Sequence, residues 1–251
     1  MINRKYRVAF FGSDEIALPF LEYLHKKCEF IQISAVLTQP DRKSGRGRKI
    51  SENEIKRWAL TESIPCRSPD KPTKEDCDWL RNEKIDLILV MAYGHILKNM
   101  FLEVAHAGCY NLHASLLPKY RGASPIETAI AQGEDVTGVT LMRIMPKMDS
   151  GPIVDSEASL ITIEDTGKIL RNKIAQSCIP LIKRNIQKLV SGIANEVIQV
   201  EADSTYCRKL NKEDGNLNFS ASAKLLANHI RAFQAWPGCG FYLHGQKIRI
   251  G

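Results

Sequence analysis

The sequence predicts an α/β protein: an open, mostly parallel, Rossmann-like sheet with helices on both faces, followed by a small, incomplete C-terminal domain. Three observations predict this. Short apolar runs alternate with stretches of helical periodicity from Tyr6 to about Gly192, the mark of repeated strand–helix units. One run, residues 85–91 (I-D-L-I-L-V-M), is apolar at nearly every position, as a parallel strand covered on both faces must be. After residue 206 the pattern changes to one helix and two short strands. The boundaries that follow are 1–192 for the main domain, 193–206 for a linker and 207–251 for the tail domain.

Residues 6–11 (Y-R-V-A-F-F) read as a buried strand that stops at Gly12. Ile16, Phe20, Leu21 and Leu24 then recur at helical spacing, and residues 31–37 form a second strand. Ser51 with Glu54 three residues on makes a capping box, which predicts a helix through Trp58 and Ala59. Residues 85–91 are the central strand, with further strands at 108–113 and 137–145. From Thr166, the positions Leu170, Ile174, Cys178, Leu181, Ile186 and Leu189 predict a long helix ending near Gly192, with a kink at Pro180. The linker carries little periodicity. A helix at 221–233, a break at Trp236-Pro237-Gly238 and two strands around His244-Gly245-Gln246 close the chain. A lone two-stranded hairpin is marginal in water, so the tail domain reads as truncated.

With 44% hydrophobic and 25% charged residues the composition is that of a folded globular chain, neither disordered nor fibrous. No run approaches the roughly 18 apolar residues that span a bilayer, and the basic N-terminus leads into too short an apolar run for a signal peptide. Seven cysteines without a C-x-x-C pair argue for reduced thiols in a cytoplasmic protein and against a zinc site. The first strand–helix turn, F-G-S-D-E, lacks G-x-G-x-x-G, and no phosphate-binding G-x-x-x-x-G-K-S/T run occurs, so a bound dinucleotide is not expected. The net charge of +7 is concentrated. Arg42, Lys43, Arg46, Arg48 and Lys49 face only Asp41 in the loop 38–49, and from residue 206 onward Arg208, Lys209, Lys212, Lys224, Arg231, Lys247 and Arg249 face only Glu213 and Asp214. Two basic patches on a slightly acidic body suit a polyanionic partner, although lysine-rich loops also serve solubility.

The segment C-Y-N-L-H-A-S-L-L-P at residues 109–118 carries the chemistry. Asn111 and His113 are two apart on a predicted strand, so they share a face and lie about 7 Å apart along it. An amide can donate to an oxyanion and an imidazole can exchange a proton near neutral pH, which suits acyl transfer to an amine. Asp149 follows another predicted strand. Its Asp-Ser-Gly setting is that of a turn, and its carboxylate can hold His113 charged or orient a water.

The run N-L-H-A-S-L-L-P-K-Y-R-G-A-S-P-I, residues 111–126, resembles the core signature of N10-formyltetrahydrofolate-dependent formyltransferases. With it come F-G-S at 11–13, T-Q-P-D-R at 38–42, G-R-G-R-K at 45–49, A-Y-G at 92–94, D-S-G-P-I at 149–153 and R-A-F-Q-A-W-P-G at 231–238, so the resemblance covers essentially the whole chain. Their order and spacing are similar to those of family members that formylate the methionine of initiator tRNA. The resemblance implies Asn111, His113 and Asp149 as the catalytic trio and Ser115, Leu116, Leu117 and Pro118 as a folate-contacting loop. It implies Arg42, Lys43, Arg46, Arg48 and Lys49 as a loop that engages the tRNA acceptor arm, with the tail as the start of a supporting β-barrel. It implies N10-formyltetrahydrofolate as co-substrate, initiator methionyl-tRNA as partner, no metal and a monomeric state. Lys147 and Ser150 depart from the glycine and threonine that the family more often carries beside the aspartate. The His-to-Pro signature is shared with sugar-amine formyltransferases, so a nucleotide-linked amino sugar is the alternative acceptor, and a non-catalytic RNA-binding remnant is the alternative of another class.

Overall fold

The computed structural model describes residues 4–44 and 49–250, with side chains for all of these except 42–44 and 49–51. Strands β1 (Tyr6–Gly12), β2 (Ile31–Leu37), β5 (Cys66–Arg67), β6 (Leu87–Met91), β7 (Cys109–His113), β9 (Val136–Arg143) and β10 (Ile153–Leu160) form one sheet in the order β10-β9-β7-β6-β1-β2-β5. Neighbours from β5 to β7 are parallel; β9 is antiparallel to both β7 and β10, so β9 alone is reversed. Two-residue strands β8 (Arg121–Gly122) and β11 (Tyr206–Cys207) pair in parallel, β3 (Arg42–Ser44) pairs with β4 (Lys49–Ser51), and β12 (Cys239–Leu243) pairs with β13 (Gln246–Ile250).

The reason the central strands are apolar throughout is visible in where alternate residues point. Val8 and Phe10 of β1, with Leu87, Leu89 and Met91 of β6, join one core. That core is covered by helices α1 (Leu18–Lys27), α2 (Glu54–Thr61), α5 (Pro125–Gln132) and α6 (Gly167–Val190). Ala9, Phe11, Ile88 and Val90 join the other, under α3 (Lys74–Asn82) and α4 (Asn99–Leu102). Period-two side chains on a doubly covered strand leave no face for polar residues.

Three sequence expectations are corrected, and one helix runs on through its proline. Asn53, not Ser51, caps α2: its side-chain oxygen accepts from the Ile55 and Lys56 amides at 3.0 and 3.2 Å, and its Nδ2 donates to Gln39 O at 3.1 Å. α6 runs unbroken through Pro180, which is exposed, as is Gln176, whose carbonyl the proline leaves without a helical donor. The strand expected at 137–145 ends at Arg143, and β10, half-exposed at the sheet edge and mixed in polarity, is not marked by an apolar run. The final hairpin is not isolated. Leu217 N donates to Gly240 O at 2.8 Å, Cys239 is buried, and α7 (Ala223–Phe233) packs on α5. Among the described residues no helix is long and apolar enough to cross a membrane.

Replacing Asn53 with alanine should cost about 1–2 kcal/mol in urea unfolding, because both the cap and the bond to Gln39 are lost; Asn53→Asp should recover the part due to the cap.

Candidate active site

Strand order places a crevice at one end of the sheet. The chain steps outward from β1 through β2 to β5 and then returns to β6 on the other side of β1. Such a reversal opens a cleft at the carboxyl ends of the strands. Three separate motifs meet there. Ser13 N donates to Ala92 O at 3.2 Å, Gln39 N donates to Ser13 Oγ at 3.0 Å, and Gln39 Nε2 donates to Tyr93 O at 2.7 Å. A Cβ on Gly12 would lie 2.5 Å from Met91 O, so only glycine lets β1 end this close to β6.

Next along the sheet, Asn111 pairs with Val90 of β6 and Met142 of β9, and His113 stands opposite Thr140 of β9. The Asn111 side chain is half-buried and makes no hydrogen bond among the described residues, so its amide is uncommitted. His113 is buried. Its Nε2 lies 2.9 Å from Tyr120 O. A carbonyl only accepts, so Nε2 carries the hydrogen and Nδ1 is the open position. Nδ1 faces Asp149 Oδ2 at 3.7 Å, beyond hydrogen-bond distance. Asp149 Oδ2 accepts from Gly122 N at 2.8 Å, and Asp149 has φ +49°, a left-handed conformation that surrounding contacts must hold. The structure therefore brings Asn111, His113 and Asp149 to one end of β7.

The loop after β7 divides its residues. Ser115 Oγ donates to Lys119 O at 2.7 Å, while Thr140 Oγ1 donates to Ser115 O at 2.7 Å and accepts from Leu117 N at 3.0 Å. Ser115 is fully buried and Leu117 nearly so, whereas Leu116 and Pro118 are half-exposed. Ser115 and Leu117 thus shape the loop from inside, and Leu116 and Pro118 form its outer surface.

The segment read as a featureless linker is a strap across these loops. Val197 exchanges two backbone hydrogen bonds with Ile153, both 2.8 Å. Gln199 Nε2 donates to Asp149 O at 2.9 Å and Gly151 O at 2.7 Å. The fully buried Arg121 donates from Nε and one terminal nitrogen to Gln199 Oε1 at 3.1 and 2.8 Å, and from the other to Glu201 Oε2 at 2.8 Å and Tyr206 Oη at 3.1 Å. Burial opposes the guanidinium charge, but Glu201 and Tyr206 outweigh it and hold Arg121 more firmly protonated. Lys147 Nζ reaches Glu201 Oε1 at 2.5 Å. Further up the strap, Arg143 Nε donates to both Glu196 oxygens at 2.8 and 2.9 Å, and Tyr110 Oη donates to Glu196 at 2.9 Å. Sequence reasoning missed Arg121, Gln199 and Glu201. The one signal was inverted: Gln199 is buried between Ile198 and Val200, which are exposed.

Residues 6–184 match the formyl transferase family, and residues 209–251 match the formyl transferase C-terminal domain. The chain belongs to the formyl transferase family. It is 39% identical to a methionyl-tRNA formyltransferase from Legionella pneumophila over 92% of this chain and 73% of that one. Among solved structures, an N-formyltransferase from Helicobacter canadensis in complex with folinic acid and dTDP-3-aminofucose is 25% identical, with TM-score 0.70 over 98% of this chain and 86% of that one. Phosphoribosylglycinamide formyltransferase from Bacillus halodurans is 27% identical, with TM-score 0.62 over 74% of this chain and 95% of that one.

In this formyl transferase the basic residues fall into different settings. Arg42, Lys43 and Lys49 lie on the β3–β4 hairpin, their side chains outside the described residues, as Arg46 and Arg48 are altogether. The base of the hairpin is clamped: Asp41 accepts from Asn53 N at 3.0 Å and from Lys56 Nζ at 2.7 Å, which lowers the Asp41 carboxyl below the usual range. In the tail, Arg208 pairs with Asp214, and Arg231 donates to the carbonyls of Thr162 and Asp165 at 2.8 Å. Those two serve the fold. Lys209, Lys212, Lys224, Lys247 and Arg249 are exposed.

Lys147 and Arg121 hold the Glu201 carboxyl at about 2, below its ordinary 4.5. A depressed carboxyl stabilises the fold above its unfolded value and loses that contribution as pH falls. The Tm gap between wild type and Glu201→Gln should be fully open above pH 4.5 and close as pH drops toward 2, read by calorimetry across that window.

Proposed function

We propose that this chain transfers the formyl group of N10-formyltetrahydrofolate to the α-amino group of methionine on initiator tRNA, in the cytoplasm and as a monomer. The observation that carries the chemistry is the pairing on β7 of an uncommitted amide, Asn111, with an imidazole whose open nitrogen faces the Asp149 carboxylate at 3.7 Å. The acceptor rests on the 39% identity to a methionyl-tRNA formyltransferase over nearly the whole chain. The motifs that join at the crevice and the loop 115–118, braced by the buried Ser115 and Leu117, support a substrate cleft at this end of the sheet.

The donor supplies an activated formyl carbon on N10, and Leu116 and Pro118 offer it the apolar rim of the cleft. Ser115 and Leu117 keep that rim in shape. The attacking amine forms the new C–N bond as the bond to N10 breaks. Asn111 donates to the oxygen of the formyl carbon as negative charge grows there. His113 takes the proton lost by the amine at Nδ1, where the Asp149 carboxylate stands opposite, and returns a proton to the departing N10. No step requires a metal. The loop of Arg42, Lys43, Arg46, Arg48 and Lys49 carries the tRNA acceptor arm, and residues 207–251 belong to a supporting domain beyond the main domain (1–192) and the strap (193–206).

The deciding test is a formyl-transfer assay with two acceptors, initiator methionyl-tRNA and a nucleotide-linked amino sugar. Transfer to the tRNA is expected, and transfer to the sugar alone overturns the reading. Asn111→Ala should lower kcat by about 100- to 1,000-fold with folding intact, and Asn111→Asp should be worse, because it sets a charge beside the growing oxyanion. His113→Ala should lose most turnover in the same assay.

Salt dependence tests the loop. Each phosphate contact contributes roughly 0.7–0.9 to the log–log slope of affinity against salt, so replacing Arg46 and Arg48 together with alanine should flatten it by about one to two units. Folate affinity, measured by thermal shift, should not change.

A further inference from the structure

The strap that follows α6 holds the candidate catalytic carboxylate from two directions. Gln199 Nε2 binds the carbonyls of Asp149 and Gly151 at 2.9 and 2.7 Å, fixing the backbone on both sides of Ser150. Gly122 N binds Asp149 Oδ2 at 2.8 Å, and Gly122 is itself paired with Cys207 in the β8–β11 ladder. Asp149 sits at φ +49°, a conformation of limited stability for a non-glycine residue, so it keeps this geometry only while its neighbours impose it. Gly151 cannot yield space, since a Cβ there would meet Arg143 O at 1.8 Å. Gln199 in turn cannot rotate. Its oxygen is gripped by two nitrogens of Arg121, whose guanidinium is fully buried and anchored at its other end by Glu201 and Tyr206.

We infer that Gln199 is a positioning residue for the reaction: oriented by Arg121, it sets the Asp149 carboxylate against Nδ1 of His113. This rests on the formyl-transfer reading, in which that carboxylate faces the nitrogen that takes up the proton. The amide is required because one end must accept from a cation while the other donates to two carbonyls. Glutamate can do the first and not the second. Leucine can do neither.

The test compares Gln199→Leu and Gln199→Glu with wild type, alone and combined with Asp149→Asn. A misplacement of about 1 Å can cost on the order of 100-fold in rate, so each single variant should lower kcat by about 10- to 100-fold. KM for folate and for tRNA should hold within about twofold, since Gln199 lies behind the site. In the Asp149→Asn background, Gln199→Leu should cost less than about twofold more, because its effect runs through that carboxylate. Rescue by glutamate, or a full additive loss in the double variant, overturns the inference and leaves Gln199 a partner of Arg121 only. Near-normal kcat in Asp149→Asn alone overturns instead the assignment of that carboxylate. The ring resonances of His113 give a readout free of activity: Gln199→Leu should move them toward those of Asp149→Asn, and wild-type resonances in a folded Gln199→Leu protein overturn the positioning role.

Discussion

A fully buried guanidinium is the constraint from which the site region follows. Arg121 lies in the loop after β7, with its side chain entirely out of water. Removing such a charge from solvent without partners costs several kcal/mol, so the fold must bring it acceptors. None comes from its own loop. They come from Gln199, Glu201 and Tyr206, which obliges the chain leaving α6 to turn back across the sheet end instead of running free. The same passage pairs β8 with β11 and ties Thr205 to Tyr120 by a 2.8 Å bond from the Tyr120 amide. One buried cation thereby converts a polar connecting segment into part of the wall behind Asp149.

The reversed strand β9 does the corresponding work on the other side. In an all-parallel sheet the residue opposite His113 would come from the same end of a crossover unit. Here β9 runs against β7 and sets Thr140 opposite His113, where its hydroxyl donates to Ser115 O and accepts from Leu117 N. The loop that carries the outer surface of Leu116 and Pro118 is therefore tied to the sheet at its root. Its two inward residues, Ser115 and Leu117, brace the loop for that reason, and a candidate site built on strand termini and short braced loops gains rigidity from both.

The charged surface shows the same division between scaffold and free groups. Arg208 and Arg231 look alike in a count of positive residues, yet each is engaged by its own fold, Arg208 with Asp214 and Arg231 with two carbonyls ahead of α6. The β3–β4 hairpin differs. Its root is clamped through Asp41, Asn53 and Lys56, while the five basic residues of the loop stand beyond that clamp in the sequence.

The sequence by itself determined the layered fold, its parallel core strands and the identity of the polar pair on β7. Those features are local: a doubly covered strand must be apolar along its length, and residues two apart on a strand must share a face. Residues 85–91 and 109–113 state both rules in a few letters, and the motif order carried the family. Capping was legible in kind and misread by two residues, since Ser51 and Asn53 are both good caps and only the path of the chain chooses between them. The tertiary structure alone decided the reversed β9, the tautomer of His113, the inward burial of Ser115 and the strap built on Gln199 and Glu201. Each depends on partners far away in sequence, such as Tyr120 for the ring, Thr140 for the loop and Arg121 for the strap. Gln199 is the clearest case. Between two exposed apolar residues it reads as a surface amide, and only a buried cation 78 residues away makes it part of the site.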